Sequence, residues 1–281
     1  MLGSRGARSN IAPASGIARH PARGRCILHD VSPIEAAAVL AAGFAAGTLN
    51  AIVGSGSLLT FPTLLAIGLP PVTANVSNTI GLVFGGISGT LGYRRELVGQ
   101  RDRLIRLGIA GLLGGTVGAA LLLVLPPAAF RQIVPFLVLF AAAITAIQPS
   151  LTERLEHLRS RPAHDNPLVV LAVFLTAIYG GYFGAAQGVI LLALLLVLVN
   201  DDPQRLNGLK NAVILGVNAI AAVIFALVAP VDWTAVLLLA VSSIAGGQLG
   251  ATIGRRLSPA ALRFAVVVLG TVVGLRLLLL P

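Results

Sequence analysis

Apolar residues in this chain fall in long unbroken runs, roughly at 34–67, 73–93, 104–125, 131–148, 167–199, 208–228, 233–253 and 260–280. Runs of this kind predict helices that cross a bilayer, each needing ~20 mostly apolar residues. Six of the eight have the length of one crossing. The other two, 34–67 and 167–199, each exceed 30 residues, too long for one ordinary span. Small and polar residues interrupt both, around 47–57 and 180–188. In the first, the segment NAIVGSGSLLTFPTLL at 50–65 places an Asn, several hydroxyls and two glycines where burial should be deepest. Each long run is therefore either a helix–break–helix that turns back as a hairpin or a long discontinuous span.

The positions of the charges add orientation. Only 11% of residues are charged and 56% are hydrophobic, against about a quarter charged in soluble domains; the mean hydropathy is +0.92. The net charge of +10 does not point to nucleic acid, because the arginines lie in the N-terminal tail and between the apolar runs. Arg94, Arg95, Arg101, Arg103 and Arg106 mark one cytoplasmic loop, and Arg154, Arg159 and Arg161 another, two crossings away. Arg205, Lys210 and the Arg255–Arg256 pair also belong inside, whereas Ala229–Trp233 carries no cation. That arrangement requires 167–199 to return to the side it started from. The same logic for 34–67 puts the basic tail outside, against the positive-inside rule, which long tails follow less strictly. Residues 1–30 read as a disordered basic extension, or as sequence upstream of the true start, with no signal-peptide core and no assigned function. Cys26, the one cysteine, excludes a disulfide within the chain.

A weak repeat runs at an offset of 132 positions. It sets Gly56 against Gly188, Leu59 against Leu191, Pro71 against Pro203 and Asn75 against Asn207, with Asn78 opposite Lys210 and Thr79 opposite Asn211. A hairpin plus three crossings is an odd number of passages, so the second copy is inverted. The expected architecture is an all-α polytopic membrane protein with two inverted repeats, each a broken, re-entrant helical hairpin plus three transmembrane helices. The expected division is tail 1–30, repeat 31–148, cytoplasmic linker 149–166 and repeat 167–281. Broken helices at membrane depth are tolerated where they line a cavity or are buried in protein, a recurrent design of secondary transporters.

Candidate chemistry is neutral apart from one amine. The ten acidic residues and the four histidines fall in the tail, in loops or at the ends of the apolar runs, which leaves no carboxylate or imidazole inside the membrane to relay protons. Lys210, the only lysine, opens a run beside Asn207 and Asn211, with Asn218 two turns on. It either attracts an anion, whose oxygens the Asn amides and helix-end N–H groups would fix, or snorkels to the headgroups. Asn50, Asn75 and Asn78 are the strongest candidates in the first half, with Ser55, Ser57 and Thr79 beside them and Gln187 at the second break. Gly54, Gly56, Pro62, Gly184 and Gly188 are the expected helix breaks, while pairs such as Gly43/Gly47, Gly81/Gly85 and Gly246/Gly250 suit close helix packing. The segment GISG at 86–89 has the form of an intramembrane serine-protease motif, but no apolar run supplies a His base for Ser88. No cofactor or metal is expected.

With these residues in view, the chain resembles the TauE/SafE (sulfite exporter) family of bacterial membrane transporters. The resemblance is carried by AGTLNAIVGSGSLLTFPTLLAIGLPPVTANVSNTIGL in the first half, and by GGYFGAAQGVILLALL, LNGLKNAVILGVNAIAAVIFAL, VDWTAV and GGQLGATIGRRL in the second. It covers roughly 35–280 and implies an exporter of sulfite, sulfoacetate or a similar organosulfur anion in the bacterial cytoplasmic membrane. The family's motif positions fall on Asn50, Gly54, Gly56, Pro62, Asn75, Asn78, Thr79, Gly184, Gly188, Lys210, Asn211 and Asn218. One departure is GAAQG at 184–188, where the family is richer in glycine; it adds the amide of Gln187. The expected partners are a small anion and the lipid bilayer, with no nucleic acid, and self-association into a homo-oligomer stays open. An anion carrier working by alternating access leads over a passive channel and over a non-transporting accessory protein; an enzyme lacks its nucleophile–base pair.

Overall fold

The computed structural model describes residues 32–156, 167–253 and 259–279. The tail at 1–30, much of the 149–166 linker, and Arg255 and Arg256 lie outside the described residues. Ten helices account for the rest apart from short connections. The first half has α1 (Pro33–Ile52), α2 (Ser57–Ala66), α3 (Pro71–Gly92), α4 (Arg101–Val124) and α5 (Pro127–Glu156). The second has α6 (Pro167–Tyr182), α7 (Gln187–Leu198), α8 (Pro203–Val228), α9 (Trp233–Ile253) and α10 (Pro259–Leu279). Six helices start on a proline, whose fixed φ and missing N–H suit the first helical position. Ser32 and Glu35 add a reciprocal capping box to α1, and the Asp202 carboxylate caps α8. All eight apolar runs are helical, and the two overlong ones are split into α1/α2 and α6/α7.

Among the described residues, α1, α4, α5, α8 and α9 are long and apolar enough to cross a membrane. α3 is as long but carries Asn75, Ser77, Asn78 and Thr79, all buried inside the protein. Large apolar side chains such as Leu113, Phe136, Leu227 and Phe264 point outward, the surface of a multi-pass membrane protein.

Close glycine contacts set helix direction. Gly43 faces Leu239 and Ser242, and Gly47 faces Ser243 and Gly247, so α1 runs parallel to α9. Gly81, Gly85 and Gly89 meet Leu239, Ser243 and Gly247, so α3 runs parallel to α9 as well. Since α1 and α3 share a direction, α2 between them must run back; the first hairpin is present. By the same reasoning α6 and α8 both run parallel to α4, through Gly114 on Ala177, Gly118 on Tyr182 and Gly111 on Val213, and α7 returns. Ser88, from the GISG segment, donates to Ile244 O at 2.9 Å, a packing bond between α3 and α9.

The pairing of helices is the same with the halves exchanged. α1 on α9 corresponds to α6 on α4, α3 on α9 to α8 on α4, and α10 on α2 to α5 on α7. α3 packs on α8, with Gly86 near Leu215 and Tyr93 near Gly208; α5 packs on α10, with Ala142 near Gly270 and Leu139 near Gly274. Both of these pairs are antiparallel.

At the end of the molecule that carries the α3–α4 loop, Asp201 holds two guanidinium groups, Arg103 at 2.7 Å and Arg205 at 2.9 Å. Burial pushes the Asp201 carboxyl up, but hydrogen bonds from Arg103 and the Asp202 N–H, with the charges of both arginines, hold it below the usual carboxylate range. A depressed folded-state pKa stabilises the protein above the unfolded-state value and is lost as pH falls through the folded one. Asp201→Asn should therefore lower the melting temperature at neutral pH, and the gap to wild type should close in acid; a pH-independent gap would show that the ion pairs are not its source.

The glycine contacts generate a second test. A Cβ at Gly47 would overlap Ser243 O and lie 2.8 Å from Gly247 N, both backbone atoms, whereas a Cβ at Gly108 meets nothing within 4 Å. Gly47→Ala should cost about 1–3 kcal/mol through overpacking. Gly108→Ala should be neutral or stabilising by up to ~1 kcal/mol through helix propensity. Thermal unfolding in detergent measures both.

Candidate functional site

Each hairpin turns on the same local device. α1 ends with the N–H groups of Val53 and Gly54 both donating to Leu49 O, at 2.7 and 2.9 Å, with Gly54 at φ +86°. α6 ends with Phe183 and Gly184 both donating to Tyr179 O, at 2.9 and 3.1 Å, with Gly184 at φ +76°. This is the glycine-terminated helix end, which requires a left-handed residue. The new helices also start alike: Leu59 and Thr60 donate to Gly56 O, and Val189 and Ile190 to Ala186 O. The backbone thus pairs Gly54 with Gly184 and Gly56 with Ala186, 130 positions apart, whereas Pro71 and Pro203, which open α3 and α8, are 132 apart. The ungapped pairing of Gly56 with Gly188 is corrected accordingly. The two additional residues lie in α7, which is 12 residues long against 10 for α2.

The two turns touch. Gly188 N–H donates to Gly54 O at 3.1 Å, and a Cβ on Gly54 would lie 2.5 Å from Gly188 Cα. Around this contact, asparagines close the broken helix ends. Asn50 Oδ1 accepts from Gly56 N–H at 2.7 Å, within the first hairpin. Asn75 Nδ2 on α3 donates to Tyr182 O at the end of α6, at 3.0 Å. Asn207 and Asn211 on α8 both donate to Ala51 O at the end of α1, at 3.3 and 3.1 Å. Each half therefore caps the broken helix of the other. Tyr179 Oη donates to Ala185 O at 2.6 Å and pins the second turn.

A cavity of about 40 Å³ opens beside the contact, between α3 and α8. Its volume holds two to four waters at ~10–15 Å³ each. Of the sequence-derived candidates, Asn50, Ser57, Gln187, Asn211 and Asn218 line it, with Gly54, Gly184 and Gly188. Gln187 is 1% exposed, and neither atom of its amide has a partner. Gly180, facing it, leaves the room its side chain fills.

Other candidates sit elsewhere. Asn75, Asn78 and Thr79 are buried in α3 off the cavity wall: Asn78 accepts from Thr60 Oγ1, and Thr79 donates back to Asn75 O. Ser55 is buried with an unpartnered hydroxyl but does not line the cavity. Lys210 is 0% exposed, so it does not snorkel to the surface; its Nζ is unpartnered and also off the cavity wall. Two expected breaks are corrected. Pro62 lies inside α2, where its missing N–H costs one intrahelical bond without ending the helix. Gly188 is the second residue of α7, whereas Gly56, the N-cap of α2, lies in the break between α1 and α2. The helix-end N–H groups expected to be free are largely occupied, by Asn50 at Gly56 and by Gly54 O at Gly188.

The structure also adds residues. Gly85, Gly86, Gly89 and Thr90 of α3 form one wall of the cavity, and the Thr90 hydroxyl is unpartnered. The glycine-rich GGISG at 85–89 was the available signal; it reads equally as a packing stripe. Asp232, placed by the sequence at a span end, is fully buried there. Its Oδ1 accepts from Ala235 N–H, its N–H donates to Ser77 Oγ, and its Oδ2 has no partner.

A multi-pass helical membrane protein that encloses a polar cavity between two helix breaks has the architecture of a membrane transporter. A family model described as "Sulfite exporter TauE/SafE" matches residues 39–277, and the chain belongs to that family. It is similar to "Probable membrane transporter protein ORF9" of Sinorhizobium sp, at 26% identity over 85% of this chain and 91% of that protein. "Probable membrane transporter protein YfcA" of Escherichia coli K12 is 25% identical over 88% of this chain and 91% of its own length. A "Probable membrane transporter protein" of Haemophilus influenzae is 28% identical over 74% and 81%. No solved structure matches the chain.

Ala186, the counterpart of Gly56, holds φ +58°, which costs a non-glycine residue roughly 1–2 kcal/mol. Ala186→Gly should raise stability by up to about 1 kcal/mol once the added freedom of the unfolded chain is counted. Denaturant unfolding reads the change; a loss instead would mean that packing of the buried methyl outweighs the backbone strain.

Proposed function

We propose that the chain is a carrier for a small anion, most simply sulfite or a compact organosulfonate, exported across the bacterial cytoplasmic membrane. The observation that carries this reading is Gln187, a buried amide with both polar atoms unsatisfied, in a cavity between two helix breaks. A buried polar group without a partner costs about 1–3 kcal/mol, and a polar ligand removes that cost. Anion preference is supported by the N-terminal ends of α2 and α7, at Ser57 and Gln187, which bring partial positive charge to the cavity. Lys210, next to the cavity-lining Asn211 on α8, is a buried amine one position off the cavity wall. In this reading Asn211, Asn218, Asn50 and Ser57 orient the anion's oxygens with Gln187. Asn75, Asn78 and Thr79 hold the helices around the site, and no residue is assigned a catalytic role.

We read the two halves as inverted repeats that rock against each other in alternating access. Support comes from the exchange-symmetric helix pairing and from the antiparallel runs of α3 with α8 and α5 with α10. The α3–α4 loop and the start of α8, rich in Arg94, Arg95, Arg103 and Arg205, face the cytoplasm. The tip-to-tip contact of Gly54 and Gly188 favours a carrier over an open pore, because backbone blocks the path beside the cavity.

Sulfite flux in proteoliposomes tests the assignment. Wild type should show saturable counterflow, and Gln187→Leu and Asn218→Leu should reduce it at least roughly tenfold with unchanged melting curves, the loss of one buried hydrogen bond to a charged ligand. Lys210→Gln should weaken sulfite more than a neutral competitor. Full flux in Gln187→Leu would remove the cavity from the mechanism.

A further inference from the structure

Thr90 and Asn211 are the residues of the cavity lining between α3 and α8 that lie toward the basic end of the molecule. Just beyond Thr90, the chain leaves α3 and passes over the start of α8, where Gly208 lies against Tyr93 and Glu96; a Cβ at Gly208 would be 3.1 Å from Glu96 Cβ. Five polar contacts lie at this crossing, three of them between the halves. Arg103 Nη1 donates to Asp201 Oδ2 at 2.7 Å and to Gln100 Oε1 at 2.9 Å. Arg205 Nε donates to Asp201 Oδ1 at 2.9 Å, and its Nη1 donates to Val98 O at 3.1 Å. Gln100 Nε2 then donates to Arg205 O at 3.2 Å. Val98, Gln100 and Arg103 belong to the first half, whereas Asp201 and Arg205 belong to the second. One carboxylate therefore joins the two halves across the line along which α3 and α8 would have to part.

The opposite end is built differently. The positions 132 earlier than Asp201 and Arg205 are Leu69 and Thr73, and those 132 later than Gln100 and Arg103 are Asp232 and Ala235. No ion pair is available to those four side chains. At that end the halves meet through a buried neutral contact instead, Asp232 N–H donating to Ser77 Oγ at 2.9 Å. The end with the partly exposed ion pair is the one suited to release, because such a pair exchanges its partners for water and salt at small net cost.

We propose that Arg103, Asp201 and Arg205 form a gate over the cavity at the basic end. The gate opens when Arg103 parts from Asp201 and Arg205 from Val98 O and Gln100, and the α3–α4 loop swings away from Gly208. This rests on the carrier reading above for its purpose, but its geometry is independent of which solute is carried, and so is its test.

The test uses the full chain in vesicles, in a Cys26→Ser background with Ser57→Cys as a nearly isosteric reporter in the cavity wall. The rate of its reaction with a membrane-impermeant methanethiosulfonate reagent, applied to the basic face, reads how often the mouth is open. Asp201→Asn and Arg103→Gln should each raise that rate roughly tenfold, the effect of losing one charge-assisted contact from the closed state. High salt should accelerate the reporter with the gate intact and leave the Asp201→Asn version unchanged. A Glu96→Cys/Gly208→Cys pair, close enough for a disulfide, should abolish reaction when oxidised and restore it on reduction. Unchanged rates in both gate variants, with melting curves like wild type, would overturn the proposal; so would labelling that persists through the oxidised pair. If Asp201→Asn fails to fold, the salt dependence and the disulfide pair decide the question alone. Sulfite flux measured on the Cys26→Ser protein with Ser57 restored separates the two ideas: a gate that responds as described, in a protein whose Ser57 form shows no flux, keeps the gate and removes the carrier.

Discussion

The architecture depends on one contact, where Gly54 in the first helix break meets Gly188 in the first turn of α7. Backbone meets backbone there, with a hydrogen bond between them and no room for a side chain on either residue. Two interrupted helices leave orphaned carbonyl and N–H groups at a depth where water is scarce, and each must be satisfied from inside the protein. The breaks solve part of the problem for each other. The asparagines solve most of the rest, by reaching from the third helix of one half to the broken end of the other.

That arrangement explains why the cavity forms where it does. α3 and α8 carry the capping amides, so they must lie against the opposite hairpin, and they cross antiparallel beside the contact. The space between them is lined by glycine on the α3 side and by Asn211 and Asn218 on the α8 side. Glycines elsewhere on α3 press it onto α9, and α9 onto α1. Three helices are thus packed backbone to backbone as one slab, with α4, α6 and α8 as its counterpart.

Much of this was legible in the amino-acid sequence. Run length and interruption predict that two of the eight apolar segments break, arginine placement predicts that 167–199 folds back, and symmetry extends this to 34–67. The site was legible only in part, for a physical reason: residue type does not say which face of a helix an amide occupies. Asn75 and Asn211 look equivalent as letters; one faces the end of α6, while the other also lines the cavity. Lys210 and Asp232 show the same limit, since nearness to the end of an apolar run suggested exposure and the packing of neighbouring helices buried both. The register at the breaks was hidden because Pro and Asn recur at one spacing while the glycine turns recur at another. Only hydrogen-bond pattern distinguishes them.

The two additional residues in α7 have a thermodynamic meaning. In the carrier proposed above, two identical halves exchanged by a rocking motion would make the inward- and outward-facing forms degenerate, with equal populations in an unloaded protein. Unequal hairpins would remove that degeneracy. In the proposed carrier the longer α7 would give the two forms unequal energies, so that the empty protein would rest in one direction set by its own chain and not by any gradient.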